Sequence, residues 1–560
     1  MAPMTGEHGL PSSVDVLIVG GGATGAGLLR DLARRGLRCL LVEKGDLASG
    51  TSGRYHGLLH SGARYVARDP QAARECIVEN GIVRRIAPAC IEDTGGLFVA
   101  TPDDPDDYVT AFPGRCAAVG IPCDDVPLGP VLRREPALNR GIRRAFRVPD
   151  AALEPWQLVE ANLRDGADRG SETRPYRQVV GIERNGGFIS AVSVADVRSG
   201  TVDRITPRIV VSAAGAWAGQ VAALAGIELS MSPGKGTMLV FNQRMTDTVI
   251  NRCKAPGDGD LMVPVHTVAI LGTTDIPVDD PYDYQVTPAE IGILLDEGEK
   301  LFPDLRRMRI LRVYAGVRPL YAAVEIAGHA SGSIGAAAGR GLSRAHAVID
   351  HEPRDGLANL VSVIGGKLTT YRLMAEQAAD LVCAKLGVDR ACTTADDVLP
   401  GQGEDRRYYW LGDRLAGQEA SRGRDADLIC ECELVTRPMI EAVLAERQPC
   451  SLDDIRRSTR LGMGPCQGAF CTFRAAGVIA AQAGESADAG VEAADAALVA
   501  FLQERHKGTR PIAWGRQLQE LLLATGIYWG VLGVDVLAAP PAPAGARARS
   551  LDAQVADGPG

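Results

Sequence analysis

The 560-residue sequence predicts an α/β fold in three parts. These are a Rossmann-like nucleotide-binding domain assembled from separated stretches, a β-rich domain inserted into it, and a small α-helical module near the C-terminus. Three observations predict this. The chain opens as strand, glycine turn, helix and strand. The strand-then-glycine theme returns twice much later. Two cysteine pairs, Cys430 with Cys432 and Cys466 with Cys471, come close together after a polar stretch.

The opening unit begins with the apolar run Val14 to Val19, followed by Gly20-Gly-Gly-Ala-Thr-Gly25. Helical spacing continues through Leu28, Leu29 and Leu32 until Gly36, and a second strand runs from Leu37 to Val42, ending at Glu43. In such a unit Gly20 allows the tight turn, Gly22 lets a pyrophosphate approach the backbone, and Gly25 lets helix and strand pack closely. The helix N-terminus offers N–H groups to phosphates, and Glu43 is placed to bind a ribose hydroxyl.

The returns are Arg208 to Ala214 stopping at Gly215, and Leu360 to Ile364 followed by Gly365 and Gly366. A helix then carries Tyr371, Met374, Ala378, Leu381 and Val382 on its apolar face. Gln178 to Ile205 alternates apolar with polar residues, and short β-branched runs follow at Thr237–Phe241 and Val268–Gly272. These read as the inserted β-rich domain. The expected division gives the nucleotide-binding domain residues of about 14–90, 150–220 and 340–390, and the insertion about 91–149 and 221–339, all within 14–399. A linker at 400–427, the cysteine module at 428–485, a helical segment at 486–539 and a disordered Pro/Ala/Gly-rich tail at 540–560 complete the chain.

Composition narrows the function. The net charge of −9, with 46% hydrophobic and 23% charged residues, gives no footprint for nucleic-acid binding. Residues Met1 to Ser13 lack the basic start and apolar run of a signal peptide. The most apolar candidate for a span, Leu521 to Ala539, is interrupted by Asp535 and reads as a buried or docking helix. A soluble cytoplasmic chain is expected. Thirteen cysteines in such a chain are not a disulfide scaffold.

Cys430-x-Cys432 and Cys466-x4-Cys471 are four thiolates that suit a [2Fe–2S] cluster or a structural zinc ion, although neither pair has the C-x-x-C spacing of a zinc knuckle. Arg456, Arg457, Arg460 and Arg474 flank the second pair and are expected to offset an anionic cluster. The glycine fingerprint alone does not separate NAD from FAD. An iron–sulfur cluster carries one electron at a time, and a flavin is the adapter between such a carrier and hydride chemistry. The small residues Ala48 to Gly53, just past Glu43, suit close passage of an isoalloxazine ring.

With these motifs in order, the chain resembles the FAD-dependent glycerol-3-phosphate dehydrogenases. The resemblance rests on Thr51-Ser-Gly-Arg-Tyr-His-Gly-Leu-Leu-His-Ser-Gly-Ala-Arg-Tyr65, Gly272-Thr-Thr-Asp275, Ala315-Gly-Val-Arg-Pro-Leu320 and Gly365-Gly-Lys-Leu-Thr-Thr-Tyr-Arg372. The cysteine module is similar to bacterioferritin-associated-ferredoxin [2Fe–2S] domains, which among these enzymes mark the flavin-carrying chain of the anaerobic type. Arg505 to Gly515 also looks like the C-terminal end of that chain. The resemblance implies oxidation of sn-glycerol 3-phosphate, with FAD held by Gly20, Gly22, Gly25, Glu43, Thr51, Ser52, Gly215, Gly365, Gly366, Lys367, Leu368 and Thr369.

It further implies that Arg64 and Arg318, with Arg344, hold the phosphate, that Thr274 contacts substrate, and that His60 or His56 takes the C2 hydroxyl proton. Lys367 is expected beside the flavin. The cluster, on Cys430, Cys432, Cys466 and Cys471, would pass electrons to two partner subunits, a second flavoprotein and an iron–sulfur membrane anchor. That would place the chain peripherally on the inner face of the cell membrane, serving quinone. An amine or 2-hydroxy-acid dehydrogenase is the alternative, because the same arginines suit a carboxylate. Glu154 stands where relatives show Asp.

Overall fold

The computed structural model describes residues 9–321, 346–402, 414–416, 427–446, 450–482, 487–534 and 537. Arg344, most of the expected linker and the tail from 540 lie outside the described residues.

Strand Ser13–Val19 lies in a parallel sheet between Cys39–Glu43 and Val202–Ser212. Glu172–Pro175 extends the sheet beyond Cys39–Glu43, and Leu360–Gly365 extends it beyond Val202–Ser212. His346–Asp350 lies antiparallel against Leu360–Gly365. Val16, Ile18 and Leu41 pack into one core with Leu28, Leu158 and Ala378 from helices Ala23–Arg34, Pro155–Ala167 and Tyr371–Leu386. Leu17, Val19, Leu40 and Val42 point into a second core on the opposite face. Burial on both faces is why these strands read as unbroken apolar runs.

The alternating stretch 178–205 belongs to this sheet. Arg177–Asn185 and Phe188–Asp196 form an antiparallel hairpin that pairs with the first half of Val202–Ser212. Val179, Ile189, Val192 and Val194 cover the second core. Alternation reports one buried face; it does not say which sheet supplies the neighbour.

A second, nine-stranded sheet takes Gly96–Ala100 and Arg144–Val148 from one part of the chain and Gly234–Phe241, Val249–Arg252, Leu261–Val265 and Val268–Gly272 from another. Ile310–Arg318 runs along the edge of Gly234–Phe241. The segment 51–55 lies on that strand: Thr51 donates to the Val317 carbonyl at 2.6 Å, and Tyr314 donates to the Tyr55 carbonyl at 2.8 Å. Gly316 makes this close, since a Cβ there would stand 2.1 Å from the Arg54 carbonyl oxygen.

The cysteine module has its own core, including Ile429, Ile440, Ile455, Leu461 and Phe501, under helices Arg437–Glu446, Leu452–Thr459, Cys471–Gln482 and Ala487–Lys507. Helix Gly515–Thr525 and the turn Gly526–Val531 contain no buried residue. Leu522, Leu523 and Trp529 are each more than 60% exposed, so of the two expected readings, buried or docking helix, the described residues are not buried. Among the described residues no helix is long and apolar enough to cross a membrane.

Candidate active site

Each glycine of the opening turn is needed for a different reason. Gly20 has φ +119°, and a Cβ there would lie 2.5 Å from the Ala213 carbonyl oxygen. A Cβ on Gly25 would lie 1.9 Å from the Gly20 carbonyl oxygen, which fixes how closely helix Ala23–Arg34 approaches its strand. Gly22 faces Ser52, whose hydroxyl accepts from the Ala23 N–H at 3.0 Å. Glu43 accepts from Gly21 N–H at 2.7 Å and Gly45 N–H at 2.9 Å, so its carboxylate is fixed at the strand end.

From this turn a cleft of about 770 Å³ passes Gly20, Gly22 and Glu43 and reaches His56, His60, Tyr65, Arg318 and Lys367. That volume is of cofactor size. Thr51, Ser52, Gly215, Gly365, Gly366 and Leu368 also face it. Gly366 has φ +75°, and a Cβ there would meet Met374 Sδ at 2.3 Å. The imidazoles of His56 and His60 lie edge-on, 5.8 Å apart, and His60 stands 5.6 Å from the Tyr65 ring. Lys367 Nζ sits over the same ring at 4.7 Å. Thr369 is buried outside the cleft and accepts the His60 backbone N–H at 3.1 Å. Arg318 is braced by Asp275 at 3.0 Å and donates to the Thr274 carbonyl at 3.0 Å.

Two expected substrate contacts are not among the residues facing the cleft. Arg64 is turned into the protein, donating to Asp260 at 2.7 Å and Asn251 at 3.1 Å. Asn251 in turn donates to Asp150, which accepts the Ser61 N–H at 2.7 Å, so this network fixes the loop carrying His60. Thr274 is buried, and its hydroxyl accepts from the Thr237 N–H at 2.9 Å. Arg344 lies outside the described residues.

Sequence reasoning misses Arg54, which faces the cleft and stacks on Tyr284 at 4.3 Å, and Lys44. Lys44 lies over Trp217 at 3.7 Å and donates to the Tyr282 hydroxyl at 2.7 Å. Burial lowers its pKa to about 8, although Glu43 and Asp280 oppose the shift. Its place beside Glu43 is the one signal of it in the sequence.

In the C-terminal module the four predicted thiols meet. Hydrogen bonds join Cys430 to Cys471, Cys471 to Cys466, and Cys466 to Cys432. These bonds hold Cys430 and Cys466 toward the thiolate form. Among the described residues no three His, Cys, Asp or Glu side chains are grouped around a single metal ion. A [2Fe–2S] cluster needs no such group, because it spreads four thiolates over two irons. The donor set and its pairing fit that cluster, and the glycine turn, Glu43 and the cleft fit FAD.

The expected counter-charges face the other way. Arg457 pairs with Asp46 at 2.5 Å, and Arg460 with Glu154 at 2.8 Å and Glu433 at 3.2 Å. Arg456 pairs with Asp453 at 2.7 Å. Only Arg474 of the four contacts the cysteine strand, donating to the Ile429 carbonyl. Glu154 therefore holds the module against the nucleotide-binding domain.

Comparison with known proteins agrees with this architecture. Residues 15–380 match the family described as FAD dependent oxidoreductase, and residues 428–481 match the BFD-like [2Fe-2S] binding domain. Together these define an FAD-dependent oxidoreductase with a fused [2Fe–2S] module. The A subunit of the anaerobic glycerol-3-phosphate dehydrogenase of Escherichia coli K12 is 41% identical over 93% of this chain and 97% of its own length. The A1 subunit of the Haloferax volcanii enzyme is 40% identical over 94% of this chain and 92% of its own. This chain belongs to the family of anaerobic glycerol-3-phosphate dehydrogenase A subunits. Among solved structures, the FAD-complexed glycerol-3-phosphate dehydrogenase of Bacillus halodurans has the same fold, with a TM-score of 0.56 and 21% identity over 92% of this chain and 95% of its own.

Proposed function

We propose that this chain oxidises sn-glycerol 3-phosphate to dihydroxyacetone phosphate in the cleft and passes the electrons through its [2Fe–2S] module. The observation that carries this reading is the convergence of two imidazoles, Lys367 and Arg318 in one cleft whose 48–57 segment also faces the cysteine module.

Oxidising the C2 alcohol releases two electrons and two protons. When bound, FAD supplies a two-electron acceptor that returns electrons singly, as the one-electron cluster requires. Gly20, Gly22, Gly25, Glu43, Thr51, Ser52, Gly215, Gly365, Gly366, Lys367 and Leu368 would hold it, with Thr369 fixing the adjacent His60 loop. His60 takes the C2 hydroxyl proton, since imidazole is the side chain that most often serves as a general base, and its backbone is fixed by Thr369. His56, edge-on to it, orients the ring. Arg318 binds the phosphate, since a guanidinium presents a fork that matches phosphate oxygens. Arg64 acts from behind, through Asn251 and Asp150, on the loop bearing His60.

The relatives' naming as one lettered subunit means that other subunits exist. We place two of them downstream, a second flavoprotein and an iron–sulfur anchor, with quinone as the acceptor and the complex on the inner face of the cell membrane. The exposed Leu522, Leu523 and Trp529, together with Phe470 beside Cys471, form the apolar surface for that docking.

The test is a visible spectrum of anaerobically purified protein before and after adding glycerol 3-phosphate. Bleaching of flavin bands supports cofactor, substrate and reaction together. Bands that ignore glycerol 3-phosphate but bleach with an amine or a 2-hydroxy acid would replace the substrate and keep the fold. Full-rate quinone reduction by the chain alone in liposomes would remove the partner step.

A further inference from the structure

A second cavity, of about 130 Å³, lies between the flavin cleft and the cysteine module. Its walls come from three bodies: the 48–57 segment of the nucleotide-binding domain, strand Ile310–Arg318 of the second sheet, and the module's helices. Six arginines line it, namely Arg54, Arg312, Arg456, Arg457, Arg460 and Arg505, against three carboxylates, Glu154, Asp453 and Glu504. Those carboxylates already have partners, and Arg457 is balanced by Asp46 outside the wall. Glu154 pairs with Arg460, Asp453 with Arg456, and Glu504 with Lys507 at 2.8 Å.

Arg312 is the centre of the imbalance. Its Nε is buried and makes no hydrogen bond, and among the described residues its guanidinium forms no ion pair. The Gly508 backbone closes over it, so that a Cβ on Gly508 would stand 3.0 Å from Nε. Burial, aided by the nearby charge of Arg456, lowers the Arg312 pKa to about 10, although the charges of Glu504 and Asp453 oppose the shift. Arg505 comes from the module and donates to the Gly462 carbonyl and to Gln467 Oε1, but has no carboxylate among the described residues. Trp156 Nε1 is a further buried donor in this wall without a partner.

Buried cations that face one another across two bodies repel, and each unsatisfied donor carries a desolvation cost. Water offsets the hydrogen-bond cost but not the charge. An oxyanion offsets both, because its oxygens accept from several forks at once.

We propose that this cavity is a binding site for a phosphate-sized oxyanion, either free phosphate or the phosphate group of a small monoester, held by Arg312, Arg456 and Arg505 and clamping the [2Fe–2S] module onto the second sheet. The site is separate from the cleft that takes the substrate's phosphate. The proposal does not depend on the identity of the substrate.

The test uses anaerobically purified holoprotein and equilibrium dialysis with radiolabelled inorganic phosphate, comparing wild type with Arg312→Met and Arg318→Met. The expected result is at least about tenfold weaker phosphate binding in R312M, the loss typical of one charged hydrogen-bonding partner. R318M should retain this binding, and glycerol 3-phosphate should still bleach the flavin of R312M at the wild-type rate. If R312M does not fold, Arg312→Lys keeps the charge, loses the fork, and should bind with intermediate affinity. Displacement of the label by glycerol 3-phosphate would identify a monoester site, and failure to displace would identify free phosphate. The proposal is overturned if wild type binds no phosphate, if binding is lost in R318M and kept in R312M, or if R312M changes only the cluster's reduction potential. That last result would make Arg312 a counter-charge to the cluster.

Discussion

Arg64 and Arg318 share a residue type and an expected role, and they differ in company. Arg318 faces the cleft with its fork braced from behind, whereas Arg64 is committed to Asp260. Replacing Arg318 by Met should therefore lower kcat/KM for glycerol 3-phosphate about 10- to 100-fold, mainly through KM, because a charged hydrogen bond is removed from binding. His60→Gln should leave KM near wild type and lower kcat by about 10²- to 10⁴-fold, the usual loss with a general base. Steady-state kinetics with an artificial acceptor separates the two. Lys44 gives a pH prediction. Its folded pKa of about 8 lies below the ordinary lysine value of 10.5, so the folded protein releases this proton first as pH rises. Stability tied to Lys44 should therefore increase between about pH 8 and 10.5. Melting temperatures of wild type and Lys44→Met, compared at pH 7.5 and 10, should show wild type gaining relative to the variant at the higher pH. A constant difference would place Lys44 in a less buried setting than the structure gives it.

At the scale of single elements, the parts legible in the sequence are those whose cause is local. The Gly20–Gly25 turn and Glu43 show in the sequence because turn geometry and strand ends leave residue-type signatures within a few positions. Gly25→Ala tests the tightest of these. Its Cβ would meet the Gly20 carbonyl oxygen, a backbone atom that cannot move without separating helix Ala23–Arg34 from strand Ser13–Val19. The variant should purify with little flavin and lose about 1–3 kcal/mol or more of stability, as measured by flavin content and thermal unfolding. Elements whose partners lie elsewhere are less legible. The hairpin Arg177–Asn185 and Phe188–Asp196 shows its period in sequence, but its sheet is chosen by Val202–Ser212. Thr274 sits in a recognisable motif, yet the Thr237 N–H draws its hydroxyl into the core. The apolar run around Leu522 reads as either buried or docking because composition records apolarity and not the presence of a neighbour; the residues themselves are exposed.

Across the whole molecule, the least legible feature is how the [2Fe–2S] module sits on the flavin-binding domain. Its contacts join Asp46 to Arg457 and Glu154 to Arg460, pairs that are hundreds of positions apart. Arginines near a cysteine cluster suggest charge neutralisation, but the structure directs three of the four to the interface. Arg460 is the keystone, because it is buried between Glu154 and Glu433, which are also buried. Breaking one member of a buried ion-pair set strands the others, at a cost of about 3–5 kcal/mol. Arg460→Met should therefore undock the module without touching the cleft. Glycerol 3-phosphate should still bleach the flavin at close to the wild-type rate, while reduction of the cluster, followed by stopped-flow absorbance, should slow or stop. A destabilised module alone would give the same loss of signal, so the decisive variant adds Glu154→Gln and Glu433→Gln to Arg460→Met. Neutral amides remove the stranded charges, and the triple variant should recover module stability and much of the electron transfer. If it recovers neither, the ion-pair set is not what aligns the two centres, and docking depends on the contacts made by Tyr176, Asp454 and Gly508 instead.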